Sequence, residues 1–292
     1  MRTQTFGVEI EMTGITRQAA ADVAAEFFGT ASTHIGGGYD KYAATDTSGR
    51  LWCFVSDGSI HVQSKNGNRA QAVEMVTPIL HYEDIETLQE LIRRIRKAGA
   101  ITNSSCGIHI HIGADRHTPK SLRNLVNIFT SKQDMIYKAL QVDPQRLGFC
   151  KKLESHLSEG LNKKQPKSMD KVADIWYEGY AGDRNTHYNR SRYHCLNLHS
   201  VFTKGTIEVR CFNSTLHAGK VKAYIQFCLA ISHQALTQKS SSAKVTVSEN
   251  EKYTFRCWLL RMGLIGDEFK TCRRFLLEHL DGDIAWRYGR SA

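Results

Sequence analysis

The chain has 292 residues, of which 41% are hydrophobic and 23% charged, and its formal net charge is +10. Such a chain is long and apolar enough to bury the core of a globular protein. No uninterrupted apolar run reaches the roughly 18 residues that favour a transmembrane helix. The first residues, MRTQTFGVEIEM, lack the apolar stretch of a secretory signal. We therefore expect a cytoplasmic protein that does not enter the membrane.

The cysteines and the basic residues further narrow the class of protein and the kind of ligand. The eight cysteines are scattered and form no C-x-x-C pair, which favours reduced thiols and disfavours a structural zinc site. The positive charge is compatible with a nucleic-acid binder, with a phosphate-rich ligand or with simple solubility. Basic clusters such as IRRIRK carry no interleaved aromatic residues, so we disfavour nucleic acid as a partner.

The first half of the chain alternates short strands with amphipathic helices. Residues 5–12 have the alternation of a strand, and residues 16–28 have the period of a helix. A glycine-rich break at residues 35–40 precedes LWCFVS and AVEMVT, which we interpret as the strands of a hairpin. Residues 82–98 have apolar side chains at helical spacing, and Gly99 is a natural stop.

The second half continues this pattern around a polar insertion. The strand CGIHIHIG is followed by a helix with Pro119 in its first turn, which should end near Leu140. Residues 150–188 are polar and weakly periodic, which predicts an insertion with one helix. HCLNLH and TIEVRCF are predicted strands joined by the turn VFTKG, and residues 221–236 are predicted to form a helix.

Polar residues interrupt the apolar strands at alternate positions. In CGIHIHIG the three isoleucines face one way, while His109 and His111 share the other face. Taken alone, this pattern fits a strand with one solvated face equally well. Polar residues also interrupt the other predicted apolar strands. They are Glu9, Glu11, Glu74, Asn197, Glu208 and Arg210.

A sheet face made of carboxylates, imidazoles and an arginine predicts a metal site. Neighbouring carboxylates repel each other unless a cation neutralises them. Oxygen ligands with an occasional imidazole suit Mg²⁺ or Mn²⁺, whereas zinc usually takes more nitrogen or sulfur. We therefore expect Mg²⁺ or Mn²⁺ on this face.

Six segments carry a resemblance to a known family. They are FGVEIEM, DGSI, VEMVTPIL, CGIHIHIG, RYHCLNL and TIEVRCFNSTL. With these segments in this order, the chain resembles the amidoligase family of the glutamine synthetase and glutamate–cysteine ligase superfamily, the ATP-dependent carboxylate–amine ligases. The resemblance spans roughly residues 5–236.

The resemblance implies a fold for most of the chain, and composition indicates how the remaining residues are divided. It implies an α+β protein whose curved, mainly antiparallel sheet of about six strands, like that of the glutamine synthetase catalytic domain, is backed by helices. The catalytic domain would cover residues 1–236 and include the insertion at 150–188. The serine-rich residues 237–252 would form a linker, and residues 253–292 a C-terminal helical extension.

The resemblance also implies places for the metals. Family members hold two or three Mg²⁺ ions between ATP and the acid substrate. By match of position, Glu9, His109 and Glu208 would hold the metal that bridges the ATP phosphates. Glu11 and Glu74 would hold the other metal.

A second set of residues is implied for ATP and for catalysis. His111, Arg192 and Arg210 would contact phosphate oxygens, and Asn197 would join them in the nucleotide site. Asp57, in the DGSI segment, would lie near the metals or the amine. The expected catalytic residues are Arg210, Arg192, His111 and Asp57.

The implied reaction joins a carboxylate substrate to an amine co-substrate. ATP first phosphorylates the carboxylate to an acyl phosphate, and the amine then displaces phosphate. The two substrates stay open among small molecules, peptides and proteins, because their pocket should depend on residues 35–47 and 150–188. Whether the chain forms a homo-oligomer also stays open.

Three alternatives to the ligase are considered. A His-x-His strand also occurs in metal-dependent amidohydrolases that activate water on zinc, but here most of the remaining polar positions are glutamates. A basic nucleic-acid-binding protein is supported by the net charge alone. An inactive relative that only binds nucleotide is disfavoured by the intact set of polar strand residues.

Overall fold

The computed structural model describes residues 1–65, 67 and 69–287. Within these residues, eight strands form one open sheet in the order β2-β3-β4-β5-β1-β6-β8-β7, and every neighbouring pair is antiparallel. The strands are β1 (Phe6–Met12), β2 (Ser32–Gly36), β3 (Lys41–Thr45), β4 (Leu51–Val55), β5 (Val73–Val76), β6 (Gly107–Gly113), β7 (Leu196–Asn197) and β8 (Thr206–Asn213).

Helices back the apolar face of this sheet. The described residues contain nine α-helices: α1 (Arg17–Phe28), α2 (Ile85–Lys97), α3 (Pro119–Leu140), α4 (Ser155–Lys164), α5 (Met169–Trp176), α6 (His199–Lys204), α7 (Ala218–Thr237), α8 (Glu251–Arg261) and α9 (Lys270–Leu277). The helix α1 contacts β3 and β4, α7 contacts β6, and α3 contacts β8. The helix α2 packs against α1 and α7, and α9 packs against α7. Among the described helices, none has the length and hydropathy that a membrane span requires.

The alternation of β1 and β6 places the core on one face of the sheet. On β1 the side chains of Phe6, Val8 and Ile10 are buried, and Val8 and Ile10 lie opposite Ile110 and Ile108 of β6. These side chains belong to one continuous hydrophobic core. Because successive strand residues point to opposite faces, the polar residues of β1 and β6 must all lie on the other face.

The prediction of about six strands is wrong, because the described chain has eight. The missed strands are β2 and β3, which flank the glycine-rich segment predicted as a break. That segment is the turn of a hairpin, in which Gly36, Gly37 and Asp40 adopt positive φ angles. Most of the β2 residues are exposed at the sheet edge, so β2 lacks the apolar alternation by which the other strands were predicted.

The predicted helices agree closely with the structure near the sheet. Thr16 caps α1 by accepting a hydrogen bond from the Ala19 amide, and Thr118 caps α3 in the same way through Ser121. The polar insertion differs from its prediction, since it holds two helices, α4 and α5, and not one. The predicted turn VFTKG is also different, because α6 occupies it and reduces the strand before it to two residues.

The C-terminal region packs on the helical layer. Its two described helices, α8 and α9, contact each other, and α9 contacts α7. The residues predicted as a linker contain no regular secondary structure between α7 and α8. Hydrogen bonds attach them to α3: Asn127 Nδ2 donates to the Ser241 carbonyl, and the Thr246 amide donates to the Ser131 carbonyl. The predicted helical extension ends in residues 288–292, which lie outside the described residues.

A buried histidine joins the start of α3 to α7. His117 Nδ1 lies 3.1 Å from Ser121 Oγ, and its Nε2 lies 2.9 Å from Ser232 Oγ on α7. The Ser232 hydroxyl in turn donates a hydrogen bond to the side-chain carbonyl of Gln4. Burial lowers the pKa of His117 from 6.5 to about 4. This imidazole is therefore neutral in the folded protein at pH 5, while it is charged in the unfolded chain.

This difference predicts acid sensitivity of the fold. The unfolded chain binds one more proton than the folded protein between pH 6.5 and about 4, so the free energy of unfolding falls as the pH drops through this window. We expect His117→Gln to reduce the fall between pH 7 and pH 5 by about 2 kcal/mol. Urea unfolding at both pH values measures it, with His61→Gln at an exposed histidine as the control. An unchanged pH dependence in His117→Gln would contradict this account.

Candidate active site

The register of the sheet brings the predicted polar residues together. Glu9 on β1 lies opposite His109 on β6, and Glu11 lies opposite Glu74 on β5. On the other side of β6, His111 lies opposite Glu208 of β8. All six residues are contributed by the adjacent strands β5, β1, β6 and β8, so their side chains share one face of the sheet.

A β-bulge adjusts β8 to this arrangement. Val209 pairs with Ile110 and Phe212 pairs with Ile108, so two residues of β8 oppose one residue of β6. Both apolar side chains thereby remain buried. The extra residue lies beside Arg210, whose guanidinium Nη1 donates a hydrogen bond to Glu208 Oε1.

The Glu9 carboxylate is the centre of the polar face. Its Oε2 lies 3.0 Å from His109 Nδ1, and its Oε1 lies 3.2 Å from His111 Nε2. Lys204, the last residue of α6, places its Nζ 3.7 Å from the same Oε1. The buried His111 Nε2 nevertheless has no hydrogen-bond partner within the described residues.

Glu208 is held by a complete set of donors. Its Oε2 accepts hydrogen bonds from Asn197 Nδ2 at 2.6 Å and from Ser200 Oγ at 2.8 Å. Arg210 donates to its other oxygen. Asn197, predicted in the nucleotide site, is 1% exposed and contacts Glu208. In this structure Asn197 therefore orients the Glu208 carboxylate.

A second carboxylate group lies at the other end of the face. Glu11, Asp57 and Glu74 each offer an oxygen atom, and these atoms lie within 4.8 Å of one another. The Gly107 amide donates a hydrogen bond of 2.6 Å to Glu11 Oε2, which fixes this carboxylate. Asp57 comes from the loop after β4, so the fold brings the DGSI segment to the predicted cluster.

Three overlapping groups in the described chain have the geometry to hold a metal ion. Each offers three ligand atoms within 4.8 Å of one another. They are Glu9 with Glu74 and His109, Glu9 with His111 and Glu208, and Glu11 with Asp57 and Glu74. All five residues predicted as metal ligands occur in these groups, and His111 and Asp57 occur there as well.

The charges of the glutamates differ along the face. Burial, together with nearby Asp57, raises the pKa of Glu11 to about 7. Burial and the neighbouring carboxylates, Glu9 first, raise the pKa of Glu74 well above its usual range. Burial alone would also raise the pKa of Glu208, but Arg210 and His111 outweigh it and lower that pKa. The two ends of the face therefore carry different charge, because the Glu11 end has fewer cations beside it.

The two imidazoles are also unlike. Burial, reinforced by the charge of Arg210, lowers the pKa of His109 to about 4. Burial acts in the same direction on His111, but the charges of Glu9 and Glu208 outweigh it and raise the pKa of His111. His109 is therefore the neutral imidazole of the pair near pH 7, and only a neutral imidazole nitrogen can bind a metal directly.

Two cavities open onto this face. The larger is about 610 Å³ in volume, and the smaller is about 410 Å³. Glu9 and Lys204 line both cavities. His109 lines the larger cavity and His111 the smaller. Positively charged side chains also line the larger cavity, and they are Lys41, Arg146, Arg192 and Arg210.

Comparison with protein families supports the resemblance seen in the sequence. The family model described as "Putative amidoligase enzyme" matches residues 2–232. The chain belongs to this amidoligase family. The predicted family is thus confirmed, and with it a ligase-type function and substrates of the carboxylate and amine kind. Comparison with curated proteins gives no match.

The family match includes the whole described sheet of this amidoligase. It ends at residue 232 in α7, so α8 and α9 lie outside it. Every residue predicted for the metals lies within the match and on β1, β5, β6 or β8. The site residues of this amidoligase are therefore carried by the part of the fold that the family shares.

Sequence reasoning missed two cations of the amidoligase site. Arg146 lies in a short 3-10 helix after α3, and its guanidinium donates hydrogen bonds to the carbonyls of Phe212 and Arg210. Lys204 lies in the segment predicted as a turn. No periodicity marks either residue, because each lies in a helix too short to show one. The predicted Arg192 does line the larger cavity, and its buried Nε has no hydrogen-bond partner among the described residues.

Glycine at position 107 makes room for Arg146. A Cβ atom at this position would lie only 2.0 Å from Arg146 NH2. We expect Gly107→Ala to destabilise the amidoligase by about 1–3 kcal/mol, because it displaces a buried guanidinium from two carbonyl groups. Urea unfolding measures the change. The matched control is Gly7→Ala on the same face, where the nearest atom to a new Cβ is 3.8 Å away. Equal stability of the two variants would refute the steric argument.

Proposed function

We propose that this amidoligase is an ATP-dependent carboxylate–amine ligase that works through an acyl phosphate. The proposal rests on two groups of oppositely charged side chains that lie on one face of the sheet. One is the group of carboxylates around Glu9, Glu11 and Glu74, and the other is the set of arginines in the larger cavity. Carboxylates suit divalent metals and arginines suit phosphates, so the pair fits a metal nucleotide.

The residues present fit Mg²⁺ or Mn²⁺. The donor set consists mainly of carboxylate oxygens with one imidazole in two of the three groups, which is the ligand chemistry that these ions accept. Burial and neighbouring carboxylates raise the pKa values of Glu11 and Glu74, so additional positive charge at this part of the face would favour their ionised forms. A divalent cation there, bound by Glu11, Asp57 and Glu74, would supply it and would neutralise phosphate charge during transfer.

Arginines and aromatic residues make the larger cavity suitable for the nucleotide. Arg192 carries a buried Nε without a hydrogen-bond partner among the described residues, so its guanidinium retains a donor for a phosphate oxygen. The rings of Tyr39, Phe149 and Tyr188 line the same cavity. They provide apolar and stacking surface for a purine base. The hydroxyls of Tyr39 and Tyr188 lie 3.0 Å apart.

The proposed reaction has two steps. An oxygen of the substrate carboxylate attacks the γ-phosphorus of ATP, the bond to the β-phosphate oxygen breaks, and ADP leaves with the acyl phosphate remaining. The neutral amine then attacks the acyl carbon, and the amide forms as inorganic phosphate leaves and the nitrogen loses a proton. Arg210 and Arg192 stabilise the negative charge that develops on the phosphoryl oxygens. Glu208 fixes Arg210 through their direct hydrogen bond.

Calorimetry with a non-hydrolysable ATP analogue tests the proposal. We expect binding to the wild-type protein to require Mg²⁺. Glu9→Gln and His109→Ala should each weaken it roughly 100-fold, because each removes a ligand next to the phosphates. Glu159→Gln, at an exposed glutamate of α4, is the matched control and should bind like the wild type.

The same experiment separates the ligase from its rival. Loss of analogue binding in Glu9→Gln and His109→Ala, but not in Glu159→Gln, supports the ligase. If the protein does not bind the nucleotide but retains zinc through dialysis, the result would instead favour a metal-dependent amidohydrolase. After nucleotide binding is established, hydroxylamine traps the acyl phosphate as a hydroxamate and reports turnover for each candidate acid.

A further inference from the structure

The two cavities of the polar face meet at a small set of shared residues. Glu9, Val76 and Lys204 line both the larger and the smaller cavity. Among these three residues Lys204 is the cation. A phosphoryl group that passes from a nucleotide in the larger cavity to a molecule entering through the smaller one must pass the shared residues. The reacting atoms of the proposed ligase therefore belong at this meeting point.

The main chain fixes the position from which the Lys204 side chain extends. Lys204 is the last residue of α6, and the cap residue Gly205 has a φ angle of 70°, a left-handed conformation that favours glycine. The Gly205 amide donates a hydrogen bond to the Ser200 carbonyl, and the Gly205 carbonyl accepts one from the Ala114 amide just after β6. Strand β8 begins at the next residue. The backbone around Lys204 is thus held by α6, β6 and β8 together.

The helix α6 is itself attached to the polar face. Ser200 Oγ donates a hydrogen bond to Glu208 Oε2, and the His199 amide donates one to Asn197 Oδ1. The first turn of α6 is therefore anchored at the Glu208 carboxylate, while its last residue leads into β8. Between these two attachments the helix directs Lys204 at the sheet, where its Nζ lies 3.7 Å from Glu9 Oε1.

The ammonium group of Lys204 keeps its hydrogen-bond donors available. The distance of 3.7 Å to Glu9 is longer than a hydrogen bond, and Nζ makes no hydrogen bond with the described residues. The two buried arginines of the larger cavity are engaged instead: Arg210 donates to Glu208, and Arg146 donates to two main-chain carbonyls. An ammonium group has three donors. Lys204 can therefore offer its donors to a ligand that reaches the meeting point of the cavities.

We propose that Lys204 is a catalytic residue of the ligase, and that its ammonium group binds oxygens of the γ-phosphoryl group of ATP. The inference rests on the proposed function and assigns the transferred group to one side chain. In the phosphoryl step an oxygen of the substrate carboxylate bonds to the γ-phosphorus, the bond to the β-phosphate oxygen breaks, and ADP leaves with the electron pair. Lys204 transfers no proton in this step. It stabilises the negative charge on the oxygens that the phosphorus keeps throughout.

Calorimetry with two nucleotides in the presence of Mg²⁺ tests this role. The nucleotide β,γ-imido ATP carries a γ-phosphoryl group, whereas ADP lacks one. Lys204→Met removes the ammonium group and keeps a side chain of similar length. It should weaken binding of β,γ-imido ATP at least about tenfold, while the Kd of ADP stays within about twofold. The Lys204 side chain is 41% exposed, so the change should leave the fold intact.

Two further variants serve as comparisons. Lys204→Arg keeps a cation at the same place and should retain most of the affinity for β,γ-imido ATP. Lys163→Met, at an exposed lysine of α4, is the matched control for the loss of one positive charge. It should bind both nucleotides like the wild type.

The outcomes separate this inference from the proposed function. If Lys204 served only as a counter-ion of Glu9, the affinities for both nucleotides would fall together, and that result would overturn the inference. Binding of β,γ-imido ATP by Lys204→Met as tightly as by the wild type would also overturn it, but the ligase would stand. A wild type that binds neither nucleotide with Mg²⁺ would remove the ligase, and the role of Lys204 with it.

Discussion

The Glu9 carboxylate between two imidazoles is the constraint around which the polar face is organised. One oxygen is 3.0 Å from His109 and the other is 3.2 Å from His111, so the two histidines share a single negative charge. Burial alone would raise the pKa of this glutamate, but the charge of His111 and the hydrogen bond with His109 lower it well below its usual range. A charged group at this depth persists only when its partners are fixed, and here the antiparallel register fixes them.

The helical layer is what makes that register rigid. Isoleucines of β6 alternate with the two histidines and pack into the core beneath α3 and α7. A slip of β6 by one residue would bring the isoleucines to the polar face and the imidazoles into the core, which is energetically prohibitive. The bulge in β8 serves the same end, because it keeps Val209 and Phe212 in the core while Arg210 stays beside Glu208.

The sequence predicts those site residues whose side-chain direction is fixed by their position in a strand. On β1, β6 and β8 the alternation of apolar and polar residues assigns Glu9, His109 and Glu208 to one face, and in the structure His109 lies within 4 Å of both carboxylates. It does not predict Arg146 or Lys204, because residues in irregular segments and short helices take their direction from tertiary contacts. The same limit applies to the prediction of the strands. Strand β2 lacks an apolar alternation, since three of its five residues are exposed and none is buried.

The two histidines of the His-x-His strand have the same residue type and the same strand face, but unlike surroundings. His109 lies beside Arg210, which together with burial holds it neutral, whereas His111 lies near two carboxylates that favour its charged form. A neutral imidazole can bind a metal, and a charged one can only donate hydrogen bonds. Because His109 lines one cavity and His111 the other, the two cavities differ in the charge of the imidazole that faces them. Two histidines at alternate positions of one buried strand can therefore differ in charge although they share a residue type and a strand face.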